Sequence, residues 1–258
     1  MDNHFAGTTG DLTPPPALLT VLDTLDRLPE AVRLRERGYG LLAAARGARV
    51  VDAGCGGGLA VAELIARGVA AEGADLDTDM VATARARVPA GTFHVADVRR
   101  LPYEDGEVDG YRADKLLHSL PEPAAALAEA RRVLAPGGRA VLVGQDWDTA
   151  VVDCDDGCLA RAVVAARADL LPSPRAARAH RALLLDAGFT DVVAEVHTAV
   201  LTAPALVPLA TGLAGAALAA GAIGEADAER WTAEQHRRAA ADRFFMAVPF
   251  FLTAGTRR

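Results

Sequence analysis

The residues whose types and spacing carry chemistry begin at Asp52-Ala53-Gly54-Cys55-Gly56-Gly57-Gly58, an acid followed by glycines at alternate positions. Val50 and Val51 lead into the acid, and Leu59, Val61, Ala62, Leu64, Ile65 and Ala66 follow at helical spacing. The pattern predicts a strand, a tight glycine turn and a helix, the first unit of an open α/β sheet. A glycine lacks Cβ, so such a turn can take positive φ and bring backbone against a ligand. The helix behind it aims free N–H groups and its positive end at the same point. The chemistry offered is capture of a nucleotide-like ligand. The dinucleotide spacing G-x-G-x-x-G is not met, because its third glycine would fall at Leu59.

Acids at two further strand ends extend this binding set. Asp75 closes a strand predicted over Ala70 to Leu76, roughly twenty residues past the glycine turn, where a carboxylate can accept both ribose hydroxyls. Asp77 is read as the N-cap of the helix Met80 to Val88, with Asp79 in its acidic first turn. Asp97 ends a short strand, Thr92 to Val95 with its exit; it either accepts from an adenine amine while Val98 packs on the ring, or caps its own turn.

Proton chemistry is offered by His118, after an expected fourth strand, and Asp146, after an expected fifth at Val141 to Gly144. Both strand ends face the crevice of a doubly wound sheet. There a histidine can take a proton while an aspartate fixes its tautomer. Asp148 is the alternative acid, and the plainer roles are a capping or packing His118 and a turn residue at Asp146 beside Trp147.

The elements that must position these groups follow in order. Met1 to Pro16 reads as an arm ending in three prolines, and Ala17 to Leu28 and Ala31 to Ala45 as two helices able to cover the crevice. Arg35, in the second, is either a surface charge or a fork for a ligand carboxylate. The helix Ala124 to Leu134 and the strand Arg139 to Val143 flank the turn Pro136-Gly137-Gly138. Helices at Gly157 to Leu171 and Pro174 to Ala187 precede an alternating strand, Asp191 to Leu201. Ala203 to Ala241 reads as predominantly helical, and Phe244 to Ala254 as the last strand.

At 258 residues, with 51% hydrophobic and 24% charged content, the chain can bury one sizeable core with decorations. A net charge of −7 argues against nucleic acid or an anionic membrane as partner. Neither a signal pattern nor an uninterrupted apolar run of membrane-spanning length is seen, so a cytoplasmic protein is expected. Three cysteines (Cys55, Cys154 and Cys158) make no disulfide framework, and no metal site is expected.

Leu101-Pro102-Tyr103-Glu104-Asp105-Gly106-Glu107-Val108-Asp109, then His118-Ser119-Leu120-Pro121-Glu122-Pro123, then Arg132-Val133-Leu134-Ala135-Pro136-Gly137-Gly138 complete a set of motifs. With the glycine loop they resemble, from about Arg49 to Gly144, the class I S-adenosylmethionine-dependent methyltransferases. The wording is similar to the ubiquinone/menaquinone biosynthesis C-methyltransferases and their natural-product relatives of methyltransferase type 11. Three departures stand out: Asp77 replaces a serine, Ser119 replaces a frequent second histidine, and Arg112, Asp114 and Lys115 bring charge where small or aromatic residues are usual.

The resemblance implies a Rossmann-like, doubly wound α/β fold with a seven-stranded, mostly parallel sheet whose last strand is antiparallel. It implies a lid and arm over 1–45, and a methyltransferase domain over 46–258 with cap insertions at about 148–171 and 203–241. The cofactor would be S-adenosyl-L-methionine, leaving S-adenosyl-L-homocysteine. Its expected contacts are Arg35, Asp52, Ala53, Gly54, Cys55, Gly56, Asp75, Leu76, Asp97, Val98 and Ala113, with His118 and Asp146 catalytic. The expected partner is a small, apolar or cyclic acceptor methylated on O, C or N, and the protein is expected to be a monomer or homodimer. A non-methylating use of the same cofactor, in cyclisation, decarboxylation or partner binding, is the alternative; an NAD-dependent oxidoreductase would need a better pyrophosphate loop.

Overall fold

The computed structural model of the protein describes residues 23–258. The expected arm and the first part of the helix Ala17 to Leu28 lie outside the described residues. A helical turn at 23–26 leads to helix α1 (Pro29–Leu42), which starts on a proline whose missing N–H costs nothing at that position. The nucleotide-type half follows: β1 (Arg49–Ala53), α2 (Leu59–Ala66), β2 (Ala70–Asp75), α3 (Thr78–Arg87) and β3 (Thr92–Val95). Next come β4 (Val108–Asp114), α4 (Pro123–Val133) and β5 (Leu134–Gln145). The remainder is β6 (Val151–Val152), α5 (Gly157–Asp169), α6 (Ala176–Asp186), β7 (Phe189–Leu201), α7 (Val207–Ala219), α8 (Glu225–Ala240) and β8 (Met246–Arg257).

The strands form one sheet in the order β3-β2-β1-β4-β5-β8, with β7 on the far edge of β8 and β6 pairing the start of β8 beyond β5. Strands β1 to β5 are parallel, and β8 runs antiparallel to both β5 and β7. The seven expected strands are therefore joined by β6, whose two residues are too few to show a period in the sequence. Strand β7 starts at Phe189, earlier than the alternation suggests, because Asp191 takes φ +52 and the pairing shifts between Thr190 and Val193. That local bulge hides the strand's beginning.

Side-chain alternation divides the sheet between two cores. Val51, Tyr111, Ala140 and Leu142 pack on one face with Leu127 and Val133 of α4 and Leu184 of α6. Val50, Val141, Val143 and Leu252 pack on the other with Leu34 and Leu42 of α1 and Leu64 of α2. A third core unites α5, α7 and α8 with the inner ends of β7 and β8. Gly221, at φ +71, breaks the long Ala-rich stretch into α7 and α8, and Trp231, fully buried, ties them by donating Nε1–H to the Ala210 carbonyl at 2.9 Å. The segments 148–171 and 203–241 thus share one apolar interior.

Candidate active site

The crossover from β1 to α2 turns on glycines at φ +73 (Gly54), +49 (Gly56) and +82 (Gly58), values open to glycine and costly for other residues. Asp75, at the end of β2, holds this loop: its Oδ2 accepts from Gly56 N–H at 2.9 Å and its Oδ1 from Asp77 N–H at 3.0 Å. An ionised carboxylate offers about four lone-pair sites, so acceptor capacity remains for a diol. Asp77 is the N-cap of α3, accepting from the N–H groups of Asp79 (2.9 Å) and Met80 (3.1 Å). The cap at Asp77 is as expected.

A cleft of about 770 Å³ opens here, lined by Gly54, Asp75, Leu76, Asp97, Val98 and Leu116 among others. Leu76 is 67% exposed although it is a large apolar residue beside a cleft, which suits a flat ring packed against it. Asp97 also lines the cleft, yet it serves its own turn, accepting from Arg99 N–H at 2.9 Å and from the Arg99 guanidinium. That hydrogen bond holds the Asp97 carboxyl below its usual range. Ala53, Cys55 and Ala113 are buried strand-end or loop residues, and burial pushes the Cys55 thiol up.

On the other side of the β4 end lies a second cavity, of about 520 Å³, between α1, α5, α7 and the ends of β5, β7 and β8. Leu201, Leu209, Leu213, Met246, Val248 and Phe250 make its walls apolar. The backbone at Lys115 enters the left-handed region (φ +56), which costs a non-glycine residue about 1–2 kcal/mol. Through this turn Asp114 and Lys115 line the apolar cavity while Leu116 lines the cleft.

The ionisable groups around the second cavity are nearly all paired. Lys115 Nζ bonds Asp26 at 2.9 Å, Arg33 bonds Glu30 at 2.7 Å, and His197 meets Glu195 at 3.0 Å. Asp114 Oδ2 is held by Arg112 at 2.7 Å, and Asp114 Oδ1 is buried and without a partner among the described residues. Gln145 and Trp147 also line the cavity, and among the described residues their buried Oε1 and Nε1 have no partner.

Three expected site residues are placed elsewhere by tertiary contacts. Arg35 does not stand free for a carboxylate of a ligand: its fork closes on Glu63 at 3.1 and 3.2 Å, and its remaining side donates to the Asp26 carbonyl at 2.8 Å. Asp52 does not reach the cleft, because its buried carboxylate pairs with Arg112 across the β1–β4 register at 2.6 Å. Burial opposes the charge on Arg112, but Asp52 and Asp114 outweigh it and raise the pKa, so the guanidinium stays protonated. Asp146 does not orient His118. Its carboxylate is taken by Arg178 and by Asp148 N–H (3.1 Å), so it caps the turn Trp147–Thr149. Asp148 is likewise held by Arg175 and Arg178.

His118 sits in a short 3₁₀ turn, Leu117–Ser119, with Nδ1 buried and unpartnered among the described residues. Burial, helped by the charges of Arg167 and Lys115 and opposed by Asp114, lowers its pKa to about 4, so the ring is neutral near pH 7. The residues that sequence reasoning did not assign are Gln145, Trp147 and Arg167. Nothing local marks them, since only the tertiary packing brings them to one cavity.

The sheet order, the glycine turn and the acid at the end of β2 define a Rossmann-like α/β protein with a cleft at the glycine turn beside an apolar cavity. Residues 51–142 match a family model described as a methyltransferase domain. Over these residues, about a third of the chain, it is similar to the class I S-adenosylmethionine-dependent methyltransferases. An uncharacterized 37.1 kDa protein in transposon TN4556 of Streptomyces fradiae is 33% identical over 216 residues, covering 80% of this chain and 61% of its own. A demethylmenaquinone methyltransferase from Beutenbergia cavernae is 38% identical over 101 residues, 39% of this chain and 42% of its own. This chain therefore spans less than two thirds of either relative's length. Among solved structures, the YcgJ protein from Bacillus subtilis superposes with a TM-score of 0.62 at 16% identity, covering 88% of this chain and 99% of its own, a likeness of fold. Among the described residues no helix is long and apolar enough to cross a membrane, and no cluster of metal-ligating side chains is found.

Proposed function

We propose that this chain transfers the methyl group of S-adenosylmethionine to an O–H or N–H group of a small, largely apolar metabolite. The observation that carries the reading is the pair of cavities separated by one strand end, a nucleoside cleft at Gly54–Asp75–Asp97 and an apolar chamber at Asp114–Gln145. The residues present fit the cofactor. Asp75 has acceptor capacity for the ribose, Leu76 and Val98 offer apolar surface for the base, and the backbone of Ala53 to Gly56 and of Ala113 would carry the methionyl part. Bound there, the cofactor supplies a methyl on a positively charged sulfur, open to in-line displacement.

The protein's share is alignment and dryness. Holding two reactants in attack geometry is worth about 7–11 kcal/mol of barrier, so positioning alone can supply most of the catalysis. Asp114 Oδ1 and Gln145 Oε1 are acceptors without donors, and a protic nucleophile satisfies them where a hydrocarbon carbon leaves them empty. Asp114 keeps its other oxygen on Arg112, which fixes its orientation. To His118, neutral near pH 7 and in the lining of neither cavity, we assign receipt of the departing proton through water. We assign the lid role to residues 1–45 and acceptor choice to the cap segments at about 148–171 and 203–241.

The test is turnover to S-adenosylhomocysteine against a library of hydroxylated and aminated hydrophobic metabolites. Binding of S-adenosylhomocysteine without turnover of any acceptor, under conditions that support related enzymes, would favour a structural use of the cofactor. Methylation confined to carbon would refute the assignment of Asp114 and Gln145.

A further inference from the structure

Among the described residues the second cavity has one unmatched charge. Arg167, on the cavity face of α5, makes no hydrogen bond or ion pair with any described residue, whereas every other ionisable side chain lining the chamber has a counter-charge. Its guanidinium instead lies over the Trp147 ring, 4.6 Å from the centroid. Burial alone lowers the Arg167 pKa, with no carboxylate to offset it. The indole Nε1–H of Trp147 is a second donor, buried and unsatisfied, in the same wall. A half-buried guanidinium stacked on a buried indole donor, neither with an acceptor among the described residues, forms a half-built anion site, because a charge-assisted hydrogen bond is stronger than a neutral one.

We propose that Arg167 and Trp147 Nε1 hold a carboxylate of the acceptor, so that the enzyme selects apolar monoacids. The inference rests on the methyl-transfer reading of this cavity. A planar fork matches carboxylate geometry, and a single unpaired cation balances a monoanion, whereas a phosphate dianion would leave a charge uncompensated in an apolar chamber. Asp114 Oδ1 and Gln145 Oε1, at the strand ends, repel a carboxylate and accept from a hydroxyl or amine. The acid end is thereby directed to the cap and the protic end to the β4–β5 edge. The cofactor's own carboxylate is not the partner intended, since Arg167 belongs to the apolar chamber and not to the nucleoside cleft.

The experiment uses the full chain saturated with S-adenosylhomocysteine, titrated calorimetrically with aryl and alkyl carboxylates of graded length, each paired with its neutral amide. At least one acid should bind about tenfold or more tightly than its amide, the scale of a charge-assisted hydrogen-bond pair. Arg167→Met keeps the apolar stem and should bring acid and amide to within about twofold, with S-adenosylhomocysteine affinity and thermal midpoint unchanged. Trp147→Phe keeps the stack without the N–H and should lose part of the preference. No acid preferred over its amide, or a preference intact in Arg167→Met, overturns the proposal while leaving the cofactor reading standing. Loss of S-adenosylhomocysteine affinity in Arg167→Met also overturns it, by assigning the cation to the cofactor. Failure of the unaltered protein to bind S-adenosylhomocysteine at all would instead remove the functional reading beneath it.

Discussion

Arg112 Nη1 stands 2.6 Å from Asp52 Oδ1 in the middle of the sheet, with the two side chains only 5% and 2% exposed. The same guanidinium reaches Asp114 through Nη2 at 2.7 Å, so one buried cation serves two carboxylates at adjacent strand ends. Arg112→Met leaves both acids without a partner, and we expect a loss of about 3–5 kcal/mol in urea unfolding. The double variant Asp52→Leu with Arg112→Met should recover part of that loss, since a matched apolar pair is often tolerated. Additive costs in the cycle would show that the two side chains do not interact.

The loop glycines separate binding from folding. A Cβ on Gly56 would meet nothing within 4 Å, whereas one on Gly58 would come within 3.0 Å of the Phe93 ring and 3.1 Å of Ala84. Gly56→Val should therefore fold, at about 1–2 kcal/mol of left-handed backbone strain, and fail to bind S-adenosylhomocysteine. Gly58→Val should lose stability first. Calorimetry alongside thermal unfolding distinguishes the two, and full cofactor affinity in Gly56→Val would place the ligand elsewhere.

Asp75 and Asp77 differ in the same way. Asp75→Ala should weaken S-adenosylhomocysteine by about 1–3 kcal/mol, as hydrogen bonds to a charged group are lost. Asp77→Ala should cost about 0.5–2 kcal/mol of stability through the uncapped α3, with nearly native affinity. An exchange of these two phenotypes would move the ribose contact to the helix cap.

Stability should fall on acidification before the surface carboxylates titrate. His180 is buried and His118 half-buried; burial depresses each to about 4, with the His118 charge adding to the effect at His180. In the unfolded chain a histidine takes up its proton near pH 6.5. Between about pH 6.5 and 4 the unfolded state thus binds more protons than the folded one, so stability is complete above that window and declines through it. His180→Gln should flatten the slope of unfolding free energy against pH by up to about one proton, measured above pH 5. Coincident slopes for the two proteins would mean that the imidazole is solvated.

What local spacing specifies was legible in the chain. The step from Val50-Val51 through the alternate glycines to the Leu59 helix, the Asp77 cap and the strand ends at Asp75 and Asp97 all follow from hydrogen bonds and periodicities spanning a few residues. The bulge at Asp191 and the two-residue β6 escaped because neither leaves a periodic trace. The fate of the strand-end charges was not local at all. Asp52 meets Arg112 only because β1 and β4 are neighbours, Arg35 closes on Glu63 only because α1 lies beside α2, and Asp146 is claimed by Arg178 from α6. A charge entering a low-dielectric interior takes the nearest counter-charge that packing supplies, whatever its distance in sequence. By the same reasoning Arg167, which packing left without one among the described residues, acquires its meaning only in three dimensions.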